Sequence, residues 1–183
     1  MLAHRPAIFL TPSTIAMKPQ QLIQSISPGL QQEILNHLFK EHKAAYKMVL
    51  NTLATNRKLR PVFLERKNKD DQFTFVLDQL RMRTNEGVAE QVIQLWLLKG
   101  QTGLLKTFLD AIGVEHENGQ VENLPEEISD EQAKAGVDAL LAAHPAENAA
   151  VYLAMFQMQR PGGWASLAKV IEAEPKLKLT AAA

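Results

Sequence analysis

The chain of 183 residues contains no cysteine. This absence excludes disulfide bridges, thiolate zinc sites, cysteine-held iron–sulfur clusters and a cysteine nucleophile. It also fits a reducing compartment, and a cytoplasmic location is therefore our expectation. No cofactor or metal ion is expected either, because the chain has no glycine-rich phosphate loop, no G-x-S-x-G and no H-E-x-x-H.

Long apolar runs are also missing. No run approaches the ~20 residues that a membrane-spanning helix needs, so we expect no membrane partner. The first residues are basic, but Pro6, Thr11 and Pro12 interrupt their apolar part, which makes a poor secretory signal. Residues 1–17 are predicted to be a disordered leader, with Met1 or Met17 as the biological start.

The net charge is zero, but acidic residues are scarce in the first third of the chain and basic residues are scarce in the last third. Residues 1–67 hold ten Lys/Arg and three Asp/Glu (+7), residues 68–115 five and seven (−2), and residues 116–183 five and ten (−5). Such polarity steers an anionic partner to one end or favours head-to-tail association of copies. An accident of composition is the alternative.

What the sequence does contain is helical periodicity, with apolar residues at i, i+3 and i+4 through most of the chain. Ser27-Pro28 predicts a helix start, S-x-x-Q at Ser129 a capping box, and Gly113 a helix end. We predict an all-α fold of about seven or eight helices. They form one domain over residues 18–175, followed by a loose tail over 176–183.

One β-like segment interrupts the helices. Asn118-Gly119 is a two-residue hairpin signal, with short alternating arms around Val114 and Val121. We predict one small β-hairpin near residues 113–122.

Residues 75–112 and 135–171 form a weak internal repeat at an offset of 60. Trp96 aligns with Phe156, and Gly103 aligns with Gly163. The pattern is similar in layout to HEAT-type repeats, in which helical hairpins bury a continuous core between neighbours. Convergence of two amphipathic segments is the alternative to duplication.

Three local patterns bear on catalysis or metal binding. Glu33, His37 and Glu41 share one helical face, which is a metal-ligand spacing, but a solvated amphipathic helix explains it better. Ser166 and Lys169 spell S-x-x-K, but the S-D-N and K-T-G partners of that motif are absent.

In the third pattern, His116 lies between Glu115 and Glu117, where it could act as an acid or base. An exposed charged turn is the simpler interpretation. Because none of these patterns forms a complete catalytic motif, an enzyme is less favoured. A dispersed active site, however, leaves no local motif.

The leading hypothesis is a non-catalytic protein-interaction or scaffold module built from helical hairpins, with an unknown protein partner or self-association. Trp164, which follows a Pro-Gly-Gly turn, is the candidate for a partly exposed anchor, with Arg160 beside it. The alternative is a nucleic-acid-binding accessory protein. It would use a basic run formed by Arg57, Lys58, Arg60, Arg66, Lys67 and Lys69.

Overall fold

The computed structural model describes residues 17–159 and 163–179, and this part of the chain is all-α, as predicted. It contains ten α-helices and no β-strand. No helix in it is both long enough and apolar enough to cross a bilayer. The helices are α1 (Pro19–Ser25), α2 (Pro28–Glu41), α3 (Lys43–Asn56), α4 (Pro61–Glu65), α5 (Lys69–Leu80), α6 (Glu86–Leu95), α7 (Thr102–Ile112), α8 (Asp130–Ala143), α9 (Ala146–Met158) and α10 (Ala165–Ala173). A π-helical turn, Trp96–Gly100, lies between α6 and α7, and 3₁₀ turns lie at Arg83–Asn85 and Pro175–Leu177.

Capping residues set the helix boundaries, as the sequence indicated. The Ser27 hydroxyl accepts a hydrogen bond from the backbone N–H of Leu30 (3.2 Å) at the start of α2. Ser129 and Gln132 form the predicted capping box of α8. Gly113 ends α7 with φ +74°, a conformation that costs glycine little.

The helix count exceeds the predicted seven or eight because the structure contains short helices and a break. α1 and α4 have only seven and five residues. The run after Pro28 divides at His42, whose φ of −132° and ψ of 54° lie outside the helical region. His42 therefore ends α2 and precedes α3.

The core centres on α9, in which nine of the thirteen residues are buried. Phe108 of α7 packs its ring against Tyr152 and Phe156 of α9, at centroid distances of 5.5 and 5.4 Å. At the start of α9, the Glu147 carboxylate accepts hydrogen bonds from the backbone N–H and the hydroxyl of Ser27, before α2. Because α9 is enclosed in this way, the first and last thirds of the chain share one core.

The HEAT-like layout is not confirmed. In a solenoid each hairpin contacts only its neighbours along the chain. Here α1 packs on α6, and α9 reaches the N-terminus of α2. The duplication of residues 75–112 and 135–171 stays a prediction, although the order α5–α6–α7 corresponds to α8–α9–α10. Gly163 has φ +58°, whereas its counterpart Gly103 lies inside α7 and is not a turn residue.

The predicted β-hairpin forms its turn but not its strands. Asn118 and Gly119 both have positive φ, 54° and 86°. A single antiparallel bridge joins Glu117 to Gln120, and no strand extends from it in the described residues. Gly119 packs closely on Leu105 of α7, so the turn is attached to the helices and needs no ladder.

The ordered core is longer at both ends than the predicted domain. Met17, placed in the leader by the sequence, is buried, and Leu177 of the predicted tail is fully buried. The rest of the leader, residues 1–16, and the end of the tail, residues 180–183, lie outside the described residues.

Candidate interaction surface

The helical hairpin of α3 and α4 carries the most unusual surface of the described residues. Arg57 follows α3, and Lys58 then adopts φ +57°. This conformation lets the N–H of Leu59 bond the carbonyl of Ala54 (2.9 Å), a Schellman-type helix end. The chain then reverses, and Pro61 begins α4 at the position where its missing N–H costs nothing.

The hairpin is fixed to the core from its inner side. Leu64 is the one buried residue of α4. Tyr46 of α3 packs edge-on against Phe39 (5.2 Å between ring centroids), and its hydroxyl donates to the Oε1 of Gln72 (3.3 Å). Burial raises the pKa of Tyr46 to about 12. Gln72 in turn donates to the carbonyl of Lys67 (3.0 Å), which holds the segment after α4 in place.

The outer side of the hairpin exposes apolar side chains. Seven large apolar side chains of the described residues are exposed, and four of them lie here, with 43–63% of their area accessible. They are Met48, Leu59, Val62 and Phe63. No other element of the described residues covers α4 on its outer side, so its apolar side chains other than Leu64 face solvent. Leu59, Val62 and Phe63 lie within five residues of the chain, and exposed apolar groups that lie together on a small protein mark contact sites.

The same hairpin is strongly basic. Residues 43–67 contain seven Lys/Arg and one Glu, a net charge of +6. The single carboxylate, Glu65, lies 3.5 Å from the Nζ of Lys47, which places α4 back along α3. The cations at the two ends of α4 are exposed, and none has a carboxylate within ion-pair distance in the described residues. They are Arg57, Lys58, Arg60, Arg66 and Lys67.

We call these five cations and the four apolar side chains the basic–apolar face. Five of the six basic residues that the sequence selected therefore belong to it. Lys69 does not, because its Nζ lies over the rings of Phe39 (5.5 Å) and Phe73 (5.1 Å). That cation–π contact makes Lys69 a partner of the aromatic cluster.

Trp164 is not the partly exposed anchor that its position after the glycines suggested. None of its surface is accessible. Its indole N–H donates to the carbonyl of Pro125 (3.1 Å), and its backbone N–H and carbonyl both bond the side-chain amide of Gln157 (2.8 and 2.9 Å). The prediction is wrong for Trp164, because every polar group of this residue has an internal partner. Arg160 lies outside the described residues.

The helical stripe of Glu33, His37 and Glu41 does not form a metal centre, since the described residues contain no group of three His, Asp or Glu side chains arranged for one. The His37 ring packs on Gly100 of the π-helical turn and lies 5.0 Å from the His42 ring. Burial and the neighbouring His42 lower the pKa of His37, and the two glutamates offset part of this shift.

The other two patterns are occupied by local hydrogen bonds. The Ser166 hydroxyl donates to the Glu127 carboxylate (2.7 Å), which also accepts from the N–H of Ala165 (2.8 Å). Burial opposes ionisation of Glu127, but these hydrogen bonds outweigh it and lower its pKa. His116 bonds Asp110 through Nε2 (3.0 Å), and its Nδ1 accepts from the N–H of Gly119 (3.2 Å). With both nitrogens engaged, this ring holds the turn.

A second surface surrounds that turn, where the sequence pointed to His116, Glu115 and Glu117 as a possible acid–base group but not as an interaction surface. An open cleft of about 890 Å³ is lined by Asp110, Glu115, Glu117 and Glu122, and we call it the acidic cleft. It adjoins a cavity of about 250 Å³, since Gln120 and Val121 line both. We call this cavity the apolar slot; its lining includes Leu98, Leu105, Leu109, Tyr152, Met155 and Phe156. The available signal was the absence of any Lys or Arg between Lys106 and Lys134.

Comparison with protein-family models, with curated proteins and with solved structures gives no match. The function is therefore inferred from the geometry of the chain itself.

Proposed function

We propose that this protein is a cytoplasmic, non-catalytic interaction or scaffold module that binds a partner protein through the basic–apolar face. The observation that carries the proposal is the exposure of Leu59, Val62 and Phe63, with Met48 on α3, beside five cations that have no ion pair in the described residues. The partner segment should be acidic and should present apolar side chains of its own.

The composition of the face suits this kind of contact. Apolar groups at the centre of an interface supply affinity when they leave water, and Arg is enriched at binding hot spots. Charges at the rim steer association and select the partner more than they add affinity. A surface with Phe63 and Val62 on α4 and cations at both of its ends has this arrangement.

Nucleic-acid binding is the second candidate, and the same cations favour it. The exposed ring of Phe63 offers a stacking platform between Arg60 and Arg66. Against it, Met48, Leu59 and Val62 are aliphatic and provide no ring for a base. A labelled single-stranded oligonucleotide, titrated at low salt, separates the candidates. Binding that weakens steeply as salt rises would favour nucleic acid.

A site-specific photo-crosslinker tests the protein-interaction proposal. The crosslinking amino acid replaces Phe63 in the full chain, which is expressed in its native cells. We expect a discrete protein adduct, whose crosslinked peptide is rich in Asp and Glu around an apolar residue. Reversing the flanking charges with R57E and R60E should reduce the adduct, because charge complementarity contributes to recognition.

The matched control places the same amino acid at Met82, another exposed apolar position. Equal adducts at Phe63 and Met82, or none at Phe63, would contradict the proposal. An adduct removed by nuclease would support the nucleic-acid candidate in its place.

A further inference from the structure

The basic–apolar face and the acidic cleft of this chain are complementary to each other. Residues 43–67 carry a net charge of +6, with seven Lys/Arg and one Glu. Residues 110–127 hold six Asp/Glu and no Lys or Arg, a net charge of −6. Glu115, Glu117 and Glu122 are exposed, and no Lys or Arg pairs with them in the described residues. Opposite charges of this size attract across solvent at low salt.

The two surfaces also match in their apolar parts. The apolar slot of about 250 Å³ lies beside the acidic cleft and is lined by leucine, methionine and aromatic side chains. Leu98 and Leu124 line this slot and are exposed. A volume below the ~300 Å³ of small-molecule pockets suits one large side chain from a protein better than a whole ligand. Phe63 is an exposed aromatic side chain flanked by cations. Its ring is complementary to the apolar slot, and the cations are complementary to the carboxylates of the acidic cleft.

We propose that copies of this chain associate head to tail. In this contact, Phe63 of one copy enters the apolar slot of the next, and the cations around α4 face the acidic cleft. The inference rests on the proposed function, because it uses the same basic–apolar face, and it names the partner as a second copy.

The contact is heterologous, since the two surfaces belong to different elements. The α3–α4 hairpin packs on α2 and α5, whereas the segment 113–127 around the acidic cleft is held by α7 through Gly119 and by the start of α10 through Glu127. An open assembly of any length leaves one basic–apolar face free at one end and one acidic cleft free at the other. Heterologous contacts therefore build rings or open chains. The rim charges make the association weaker at high salt.

Sedimentation velocity of the full chain over a range of concentrations tests the inference. At about 50 mM NaCl, we expect the weight-average sedimentation coefficient to rise continuously with protein concentration. At about 500 mM NaCl the rise should largely disappear, because that salt screens exposed charges beyond a few ångströms. A monomer at every concentration in low salt would overturn the inference.

Two variants each remove one half of the contact. F63E places a carboxylate at the centre of the basic–apolar face, and the double variant E117K/E122K reverses the charge of the acidic cleft. Each variant alone should remain monomeric, because every contact then lacks one surface. Their equimolar mixture retains one intact pair of surfaces and should form a 1:1 dimer that grows no further.

Controls at exposed positions outside both surfaces are M82E and E172K, which should associate like the unchanged chain. Circular dichroism confirms that each variant is folded. Self-association by F63E alone, or a mixture that stays monomeric, would overturn the head-to-tail contact. Neither result affects the proposed function, which fails separately if no protein is crosslinked at Phe63. A crosslink from Phe63 to residues 110–127 of a second copy would support both.

Discussion

Helices α4 and α9 are both predominantly apolar, yet they have opposite places in the molecule. In α9, nine of thirteen residues are buried, whereas in α4 only Leu64 is. The difference comes from their surroundings, because α9 contacts α7, α8, the Pro175–Leu177 turn and the start of α2, whereas α4 packs on α3 at the surface. Apolar sequence therefore predicts burial only where other elements can cover it. The uncovered apolar side chains are the ones available for binding.

The composition of α9 explains how it can be enclosed. Ala149, Ala150 and Ala154 are fully buried or nearly so, and small side chains let neighbouring helices approach closely. Tyr152 and Met155 fill the larger spaces around them. A helix that is apolar on all sides belongs in a core. In α4, by contrast, Pro61 and Glu65 occupy the two ends, and five residues provide too little surface to support a second layer.

The largest expected effect separates a buried aromatic residue from an exposed one. Trp164→Ala should lower the free energy of unfolding by about 3–5 kcal/mol, because it leaves a cavity next to Phe156 and removes the hydrogen bond from the indole N–H to the carbonyl of Pro125. Phe63→Ala should change it by about 0.5 kcal/mol or less, as for most surface substitutions. Urea denaturation of both variants measures the contrast, and equal losses would refute the distinction between core and face.

A smaller effect tests how closely the helices around the core are packed. A Cβ at Gly136 of α8 would lie 2.6 Å from the Phe108 ring and 2.7 Å from Ile112 of α7. Gly136→Ala should therefore destabilise the fold by about 1–3 kcal/mol through overpacking. Gly87→Ala is the matched control, since nothing lies within 4 Å of a Cβ there, and alanine favours helix. Thermal unfolding of the pair decides: a Gly136→Ala variant as stable as Gly87→Ala would contradict the close packing.

The smallest stability effect concerns His37, where α2 meets the π-helical turn. Its pKa is lowered in the folded state, so the unfolded chain binds more protons below pH 6.5. The contribution of His37 to the free energy of unfolding should be complete above pH 6.5, and the free energy should fall as the pH drops below that value. His37→Gln should reduce this pH dependence. Urea titrations at several pH values measure it, and an unchanged slope in the variant would exclude His37 as its source.

A change at His42 sharpens the assignment. His42→Gln removes the positive charge that opposes protonation of His37, so the pKa of His37 should rise. Chemical shifts of the His37 ring, followed by NMR over the same pH range, report this directly. A His37 pKa that does not move would leave burial as the only cause.

Local signals in the sequence predicted the helices well, and the reason is physical. Ser27, Ser129 and Gly113 act through the backbone within one turn, so their effects are visible in a short window. The turn at Asn118-Gly119 formed for the same reason. Its strands did not form, because a ribbon of only two short strands is marginally stable without a third strand beside it.

Burial and the arrangement of helices were harder to predict because they depend on distant residues. Trp164 is buried because Pro125 and Gln157 come to it from elsewhere in the chain, which its position after a glycine turn does not reveal. The basic residues around α4 could be identified as a candidate surface from composition alone. The exposure of Phe63 could not be predicted from the sequence. Phe63 and Leu64 are both apolar, and only the packing of α4 on the core decides which of them is buried.

Binding of a protein partner by the basic–apolar face is measured by the photo-crosslinking yield at Phe63 relative to Met82. We expect a protein adduct at Phe63 that diminishes when the Arg57 and Arg60 charges are reversed, and little or no adduct at Met82. Equal yields at the two positions, or no protein adduct at Phe63, would contradict it.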